Sequence, residues 1–251
     1  MKLETVRIER RGAVAVVVVD RAERGNAMDT ATLEALVGAV EEAAADPECA
    51  VVVVRPAGRH FCAGWDTSAF PDLARASAED LAAELRGVHA ALDRLWRVPA
   101  VTVAEVKGMT AGFGLGLLAH LHLAVAAADA RFALPEVGHG IAPAGVLVDL
   151  ARALPPKAAL DLVLTGEPVG ADRARELGLV SRVVAPEALE AETARLAGVV
   201  AGHPASGTGR ALVSYRRATS VSVEAAVAAA AMDAAFSVRE AMAARRPEGN
   251  T

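Results

Sequence analysis

The chain is short of cysteine and of aromatic side chains, and each shortage narrows the class of protein. It has two cysteines among 251 residues, and the separation of Cys49 from Cys62 matches neither a disulfide framework nor a Cys-X-X-Cys metal site. A reduced, cytoplasmic setting is therefore expected. Aromatic residues make up only 3 % of the chain, whereas 53 % of it is hydrophobic, mostly alanine, valine and leucine. Such small aliphatic side chains suit an α/β protein with closely packed helices.

Positive charge and long apolar runs are scarce as well. Lysine and arginine total 26 against 31 acidic residues, and the net charge of −5 comes without a dense basic stripe. Nucleic acid is therefore not expected as a partner, although single arginines can still hold a phosphate-bearing small molecule. The apolar stretch 14–19 is too short for a membrane span, and 109–128 contains three glycines and two histidines. We expect no membrane partner and no secretory signal.

Two glycine-spaced segments carry most of the information in the sequence. They are 60–66 (His-Phe-Cys-Ala-Gly-Trp-Asp) and 108–116 (Gly-Met-Thr-Ala-Gly-Phe-Gly-Leu-Gly), and each follows a valine run typical of a buried strand. Small residues at the end of a strand allow tight turns and close approach of a ligand to backbone N–H groups. Two converging amides can hold a negative oxygen as it develops on a substrate. The spacing of Gly112, Gly114 and Gly116 does not match a dinucleotide fingerprint.

Glu136 is the candidate acid–base residue. It follows a proline in an otherwise apolar stretch, where burial of the carboxyl group would raise its pKa toward a value useful for proton transfer. His139 is a candidate for hydrogen bonding in a pocket, and Asp66 is interpreted as organising the loop that follows it. The closely spaced His120 and His122 lack an evident third ligand, so no metal site is expected.

The hydrophobic pattern predicts strands and helices in a recurring β-β-α order. Valine-rich strands are expected at 13–19, 51–54 and 101–106. Residues 66–75 have no clear periodicity and are predicted to form a flexible flap. Helices dominate after Pro156. We therefore predict a ββα core in residues 1–195 and a C-terminal helical region in residues 196–251.

In order and spacing, several motifs resemble those of the crotonase, or enoyl-CoA hydratase/isomerase, superfamily. The similarity covers roughly residues 5–200. The motifs that carry it are Asn26-Ala-Met28, Phe61-Cys-Ala-Gly-Trp-Asp66, Val106-Lys-Gly-Met-Thr-Ala-Gly-Phe-Gly114, Phe132-Ala-Leu-Pro-Glu136 and Leu164-Thr-Gly166…Ala174…Gly178-Leu-Val180. The resemblance implies a crotonase-like spiral of repeated ββα units with a C-terminal helical trimerisation region, assembled as a homotrimer or a dimer of trimers.

The resemblance also implies an acyl-CoA thioester as the small-molecule substrate, with coenzyme A as part of that substrate and no other cofactor. Carried over by position, the backbone N–H groups of Ala63 and Phe113 would form an oxyanion hole beside the base Glu136. The family usually has glycine at position 113, but phenylalanine keeps the same N–H. The substrate-binding residues implied by the resemblance are Arg24, Asn26, Ala27, Gly64, Trp65, Asp66, Gly112, Gly114 and His139.

One departure from the family pattern decides the predicted reaction. Two-glutamate hydratases carry their first glutamate on the helix after the glycine turn, where this chain has Gly116. Two carboxylates hold and activate water in those enzymes, whereas moving a double bond needs one base. The aspartate of the dienoyl isomerases and dehalogenases is also missing, because Ala144 stands in its place. We therefore predict that Glu136 shifts a 3-enoyl double bond to the 2-enoyl position through an oxyanion-stabilised dienolate.

Two alternatives stay open. A hydratase or a lyase for an unusual acyl-CoA could use His139, Asp66 or a bound water in place of the missing carboxylate. A non-catalytic family member could have kept the fold and acyl-CoA binding without activity. Products formed from a panel of enoyl-CoAs separate the first alternative from the isomerase, and thioester binding without proton exchange would favour the second.

Overall fold

The computed structural model describes residues 5–69 and 75–244 and shows a mixed α/β fold. The strands are β1 (Val6–Arg11), β2 (Val14–Val19), β3 (Val51–Pro56), β4 (Val101–Val106), β5 (Met109–Ala111), β6 (Leu123–Ala127), β7 (Arg131–Ala133), β8 (Val169–Gly170) and β9 (Arg182–Val184). The helices are α1 (Thr30–Ala44), α2 (Ala78–Arg97), α3 (Phe113–Ala119), α4 (Ala144–Ala153), α5 (Pro156–Thr165), α6 (Ala171–Leu177), α7 (Leu189–Ala201), α8 (Ala205–Ala218) and α9 (Val223–Ala244). The predicted α/β class is confirmed.

The strands form two sheets that the chain visits in turn. The main sheet has the order β1-β2-β3-β4-β6-β9, and its strands are parallel apart from the β1–β2 hairpin. The small sheet has the order β5-β7-β8. The chain passes from β4 in the main sheet to β5 in the small sheet and then into α3, which is one ββα unit. The order recurs in β6 of the main sheet, β7 of the small sheet and, after a 3₁₀ turn, α4, which confirms the predicted spiral of ββα units.

Both faces of the main sheet are buried, which explains its valine-rich strands. In β2, Val17 and Val19 belong to one hydrophobic cluster, with α1 and α2, whereas Val16 and Val18 belong to a second cluster on the opposite face. Side chains alternate across a strand, so a strand covered on both sides must be apolar at every position. The site described below lies where strands of this sheet lead into the small sheet.

The predicted division into a ββα core and a C-terminal helical region at residue 195 stays a prediction. Residue 195 falls inside α7, and buried Leu189, Leu196 and Ala197 of α7 belong to the cluster on the main sheet. Helix α7 therefore packs on the main sheet. Helix α8 has no fully buried residue. Large apolar side chains exposed on α8 and α9 are Val213, Tyr215, Val223, Val227, Met232, Phe236, Val238 and Met242.

Two sequence-based expectations concern the periphery of the fold. Residues 70–74 of the predicted flap lie outside the described residues, whereas Thr67–Ala69 form a short 3₁₀ turn. Within 5–69 and 75–244, none of the helices combines the length and apolar character needed to cross a lipid bilayer.

Candidate active site

The two glycine-spaced segments lie side by side. Cys62 and Thr110 form an isolated parallel bridge, and the Ala111 N–H donates a hydrogen bond to the Cys62 carbonyl at 2.9 Å. Gly114 is packed so closely on Cys62 that a Cβ at residue 114 would lie 2.8 Å from the Cys62 carbonyl oxygen. The structure thus brings together the segments that the sequence predicted to converge. It also gives Gly114 a packing role, and its predicted contact with substrate stays a prediction.

Phe113 offers one backbone N–H at this junction. It is the first residue of α3, so its N–H has no partner within the helix. The preceding Gly112 has φ 52° and ψ −123°, a conformation that glycine adopts readily and that directs the chain into the helix. The Phe113 N–H is therefore available at the turn, and its role as an oxyanion donor stays a prediction.

The predicted second donor, Ala63, is wrong for this chain. Its N–H donates a hydrogen bond to the Gly25 carbonyl at 3.0 Å, so it is already used within the protein. The tight packing of the two loops maintains this bond, since a Cβ at Gly25 would lie 3.1 Å from the Ala63 Cβ.

Trp65 replaces Ala63 as the residue with an available N–H. It forms a parallel bridge with Met28, in which Met28 N–H donates to the Gly64 carbonyl and Asp66 N–H donates to the Met28 carbonyl. In such a bridge the N–H of residue 65 points away from Met28. Among the described residues nothing accepts a hydrogen bond from it. The Trp65 ring contacts the Phe113 ring edge-on, with centroids 5.1 Å apart, so the two residues with available amides are neighbours.

Glu136 completes this junction. It lies in the 3₁₀ turn Pro135–His139 after β7, and a Cβ at Gly112 would come within 2.5 Å of Glu136 Oε1. The carboxylate thus occupies the space that the absent Gly112 side chain leaves open, next to Phe113. Oε2 is buried and has no hydrogen-bond partner within the described chain. Burial raises the pKa of Glu136, because the ionised form loses water contacts that its own backbone N–H and the charge of His139 replace only in part.

Asp66 is an anchor for two arginines. Its Oδ2 accepts hydrogen bonds from Arg21 Nη2 at 2.9 Å and Arg24 Nη1 at 2.8 Å, and its Oδ1 accepts one from Ser68 N–H. The bonds from Ser68, together with Arg24, hold the pKa of Asp66 well below its usual range. A carboxylate so stabilised is a poor proton acceptor, so Asp66 does not replace the missing glutamate. The predicted role in organising the following loop fits these contacts.

Asn26 has a structural role, which corrects its predicted contact with substrate. It is fully buried and has φ 56°, a left-handed conformation that asparagine tolerates better than most residues. Its Oδ1 accepts from the Arg21 N–H, and its Nδ2 donates to the carbonyls of Ala57 and His60. Every polar group of the side chain is therefore used to fix the loop between β2 and α1.

Replacing Asn26 by alanine should lower the free energy of unfolding by about 2–4 kcal/mol, because three buried backbone groups lose their partner. Urea unfolding measures this loss. Asn26→Gly is the matched variant, since it removes the same hydrogen bonds but relieves the left-handed backbone. Alanine should cost more than glycine. A loss below about 1 kcal/mol for Asn26→Ala would contradict this structural role.

Of the other predicted substrate-binding residues, some are exposed and others are buried or hydrogen-bonded within the protein. Arg24 keeps half of its side chain exposed, so it can still contact an anionic ligand. The Ala27 carbonyl accepts a hydrogen bond from Arg21 Nη1 at 2.7 Å, which uses it within the protein. Gly64 is buried, and a Cβ there would lie 3.2 Å from the Ala111 carbonyl. His139 is exposed at the end of the turn that carries Glu136.

Sequence reasoning missed Asp149. This residue lies on α4, and a Cβ at Gly116 would come within 2.9 Å of Asp149 Oδ2. Its side chain is 4 % exposed. The available signal was a single acidic residue within the apolar run Val146–Leu150. Acidic, histidine and cysteine side chains are also potential metal ligands, but no group of three or more that could hold a metal ion occurs among the residues that the structure describes.

Fold and site together define a ββα spiral protein of the crotonase type, and comparisons with known proteins agree. The chain matches the family model for enoyl-CoA hydratase/isomerase over residues 9–244. The putative enoyl-CoA hydratase of Thermus thermophilus is 35 % identical over 202 residues, which cover 80 % of this chain and 79 % of that protein. The crystal structure of an enoyl-CoA hydratase from Mycobacterium smegmatis is similar with a TM-score of 0.83 at 31 % identity, covering 98 % of this chain and 99 % of that one.

The chain belongs to the enoyl-CoA hydratase/isomerase family. Some relatives are longer. The mitochondrial enoyl-CoA hydratase domain-containing protein 3 of Xenopus laevis is 31 % identical over 191 residues, which are 76 % of this chain but 64 % of that protein. The chain therefore spans just under two thirds of the length of this relative.

Proposed function

We propose that this protein acts on an acyl-CoA thioester and moves the double bond of a 3-enoyl-CoA to the 2-enoyl position. Glu136 takes a proton from the α-carbon and returns it to the γ-carbon. The N–H groups of Trp65 and Phe113 hold the thioester oxygen while the dienolate exists. The supporting observation is the carboxylate of Glu136 packed on Gly112, beside the free N–H of Phe113 and with Oε2 unpartnered.

The base and the two amide donors together can supply a large rate acceleration. A positioned general base contributes about 10²–10⁴-fold to the rate. One oxyanion donor contributes about 10²–10³-fold in kcat. The raised pKa of Glu136 strengthens it as a base toward a weakly acidic α-carbon, and the two amides lower the energy of the anion that forms.

Substrate binding and assembly are also part of the proposal. The half-exposed guanidinium of Arg24 lies next to Asp66 at the edge of the site, where it can contact a phosphate of coenzyme A. The exposed apolar side chains of α8 and α9 are a surface that assembly into a trimer, or a dimer of trimers, would cover. Sedimentation of the purified full chain measures the assembly state.

The names of the relatives do not favour the double-bond shift, because those compared above are called hydratases. The preference for isomerisation rests on the site of this chain, which has Gly116 where a hydratase of the family has glutamate. The discriminating experiment incubates 3-hexenoyl-CoA and 2-hexenoyl-CoA with the protein in deuterated water. Formation of 2-hexenoyl-CoA with deuterium at the α- or γ-carbon supports the proposal. Thioester binding with no exchange at either carbon would identify a non-catalytic family member.

The rate of isomerisation should fall on the acidic side at a higher pH than a normal glutamate would give. Only ionised Glu136 can accept the α-proton, and its pKa is raised by burial, so kcat/KM is lost as the pH drops through that raised pKa. The measurement is a pH–rate profile for 3-hexenoyl-CoA. Binding of butyryl-CoA over the same range is the control for changes in affinity. An acidic limb near the usual glutamate pKa of about 4.3 would contradict the assignment of a buried Glu136 as the base.

A further inference from the structure

Asp149 occupies the space that the absent side chain of Gly116 leaves open. Helix α4 packs on α3, and a Cβ at Gly116 would lie 2.9 Å from Asp149 Oδ2 and 3.6 Å from Val146 Cγ2. Any side chain at residue 116 would therefore meet the Asp149 carboxyl group. Family hydratases carry a glutamate at this position of α3, so α4 supplies here a carboxyl group in the same space.

The carboxyl groups of Asp149 and Glu136 lie along the same turn of α3. Glu136 Oε1 is packed against Gly112, the residue that caps α3, and Asp149 Oδ2 is packed against Gly116. Four residues of an α-helix correspond to a rise of about 6 Å. Two carboxyl groups spaced along one helical turn can contact the same small substrate.

Asp149 is buried without a strong partner. His89 Nδ1 and His120 Nε2 each lie 3.7 Å from Oδ1, and among the described residues none donates a hydrogen bond to the carboxyl group. The His120 Nδ1–H donates to the Gly116 carbonyl at 2.8 Å, and burial lowers the pKa of His120, so this ring is neutral with a lone pair toward Asp149. Arg152 lies about one helical turn after Asp149 on α4.

Burial raises the pKa of Asp149 to about 7, and the charge of Arg152 only partly opposes this shift. Besides Arg152, the charges of His89 and Asp93 on α2 also act on His120. Asp149 also lines a cavity of about 490 Å³ at the far end of α3, together with His120 and Arg152. Water can therefore reach this carboxyl group, and near neutral pH the group can either accept or donate a proton.

We infer that Asp149 is a second acid–base residue of the site and gives the protein a second activity, the reversible hydration of a 2-enoyl-CoA thioester. This inference rests on the proposed function, since it uses the same oxyanion hole and the same Glu136. The oxygen of water bonds to the β-carbon while Asp149 accepts one of its protons. The electrons of the double bond move to the thioester oxygen, and protonated Glu136 then delivers a proton to the α-carbon. One water is added and nothing is oxidised or reduced, and exchange with solvent returns a proton from Asp149 to Glu136 before the next turnover.

The test compares hydration of 2-hexenoyl-CoA with isomerisation of 3-hexenoyl-CoA by the full-length protein. In Asp149→Asn the ratio of the two rates should fall at least about 100-fold, the contribution of one positioned acid–base group. Because both rates come from one sample, the ratio does not depend on the fraction of folded protein. Asp161→Asn, an exposed aspartate on α5, is the control and should leave both rates as they are.

A second variant separates catalysis from packing. Asp149→Ala combined with Gly116→Glu returns the carboxylate to α3 and should restore hydration at least about tenfold over Asp149→Ala alone. The hydration profile of the wild-type protein should also contain a group that titrates near pH 7 and is missing in Asp149→Asn.

The outcomes distinguish this inference from the proposed function. Isomerisation and deuterium exchange without any 3-hydroxyacyl product would overturn the role of Asp149 and leave the isomerase in place. A hydration-to-isomerisation ratio in Asp149→Asn within about threefold of wild type would do the same. Hydration that depends on Asp149, without isomerisation of the 3-enoyl thioester, would overturn the proposed isomerase and support Asp149.

Discussion

Replacing Glu136 by glutamine should lower kcat for 3-hexenoyl-CoA at least about 1,000-fold, because the amide cannot accept the α-proton. Glutamine has almost the same shape, so it still fits the space above Gly112 that admits the carboxylate. The amide is neutral and avoids the desolvation that raises the pKa of Glu136. Affinity for a saturated acyl-CoA should therefore change by less than about threefold.

The measurement pairs steady-state kinetics with titration calorimetry of butyryl-CoA, which lacks the double bond. Deuterium exchange at the α-carbon of the bound thioester is a third readout, since it reports proton removal without a full turnover. Glu167→Gln, at an exposed position after α5, is the matched control. Equal losses of binding and turnover in Glu136→Gln would show that Glu136 holds the substrate and does not act as the base.

The fold was predictable because its signals are local. Valine runs bounded by glycine-rich turns predict strands that are buried on both faces, and the main sheet has β3 and β4 at 51–56 and 101–106. The raised pKa of Glu136 was also predictable, because the residue follows a proline in the apolar stretch 132–137. These features depend on a few consecutive residues, which a single sequence displays.

The errors arose where contacts between distant segments decide the role of a residue. The Ala63 N–H is used because residues 24–26 pass close enough for Gly25 to accept from it. The available amide at Trp65 follows from its bridge to Met28, and nothing within 60–66 specifies that pairing. Asn26 shares its motif with the family, yet only the folded loop shows that its amide is fully used within the protein.

Asp149 shows a second limit of prediction from the sequence alone. Sequence comparison shows which side chain is missing at Gly116, but the space left by a missing side chain can be filled from any neighbouring element. Here α4 fills it, through contact between residues 33 positions apart. A missing catalytic group in a motif therefore does not exclude its chemistry until the side chains packed on that position are known.

The proposed oxyanion hole can be tested at Phe113 without changing any acidic group. Phe113 is the first residue of α3, the helical position at which proline is accommodated best, because the N–H there is unpaired within the helix. Phe113→Pro thus deletes the N–H that is proposed to face the thioester oxygen and keeps the helix. The conformation of Gly112, with ψ −123°, lies outside the right-handed helical region that a following proline disfavours.

Proline at this position also removes the ring that packs on Trp65, so the informative comparison is with Phe113→Ala, which loses the ring but keeps the N–H. We expect kcat of Phe113→Pro to be about 10²–10³-fold below that of Phe113→Ala, the usual effect of one oxyanion donor. Affinity for butyryl-CoA should be similar in the two variants, because the donor acts mainly on the charge that develops during the reaction. Equal kcat values would place the thioester oxygen away from α3, and the amides of Trp65 and Phe113 would then have no shared role in catalysis.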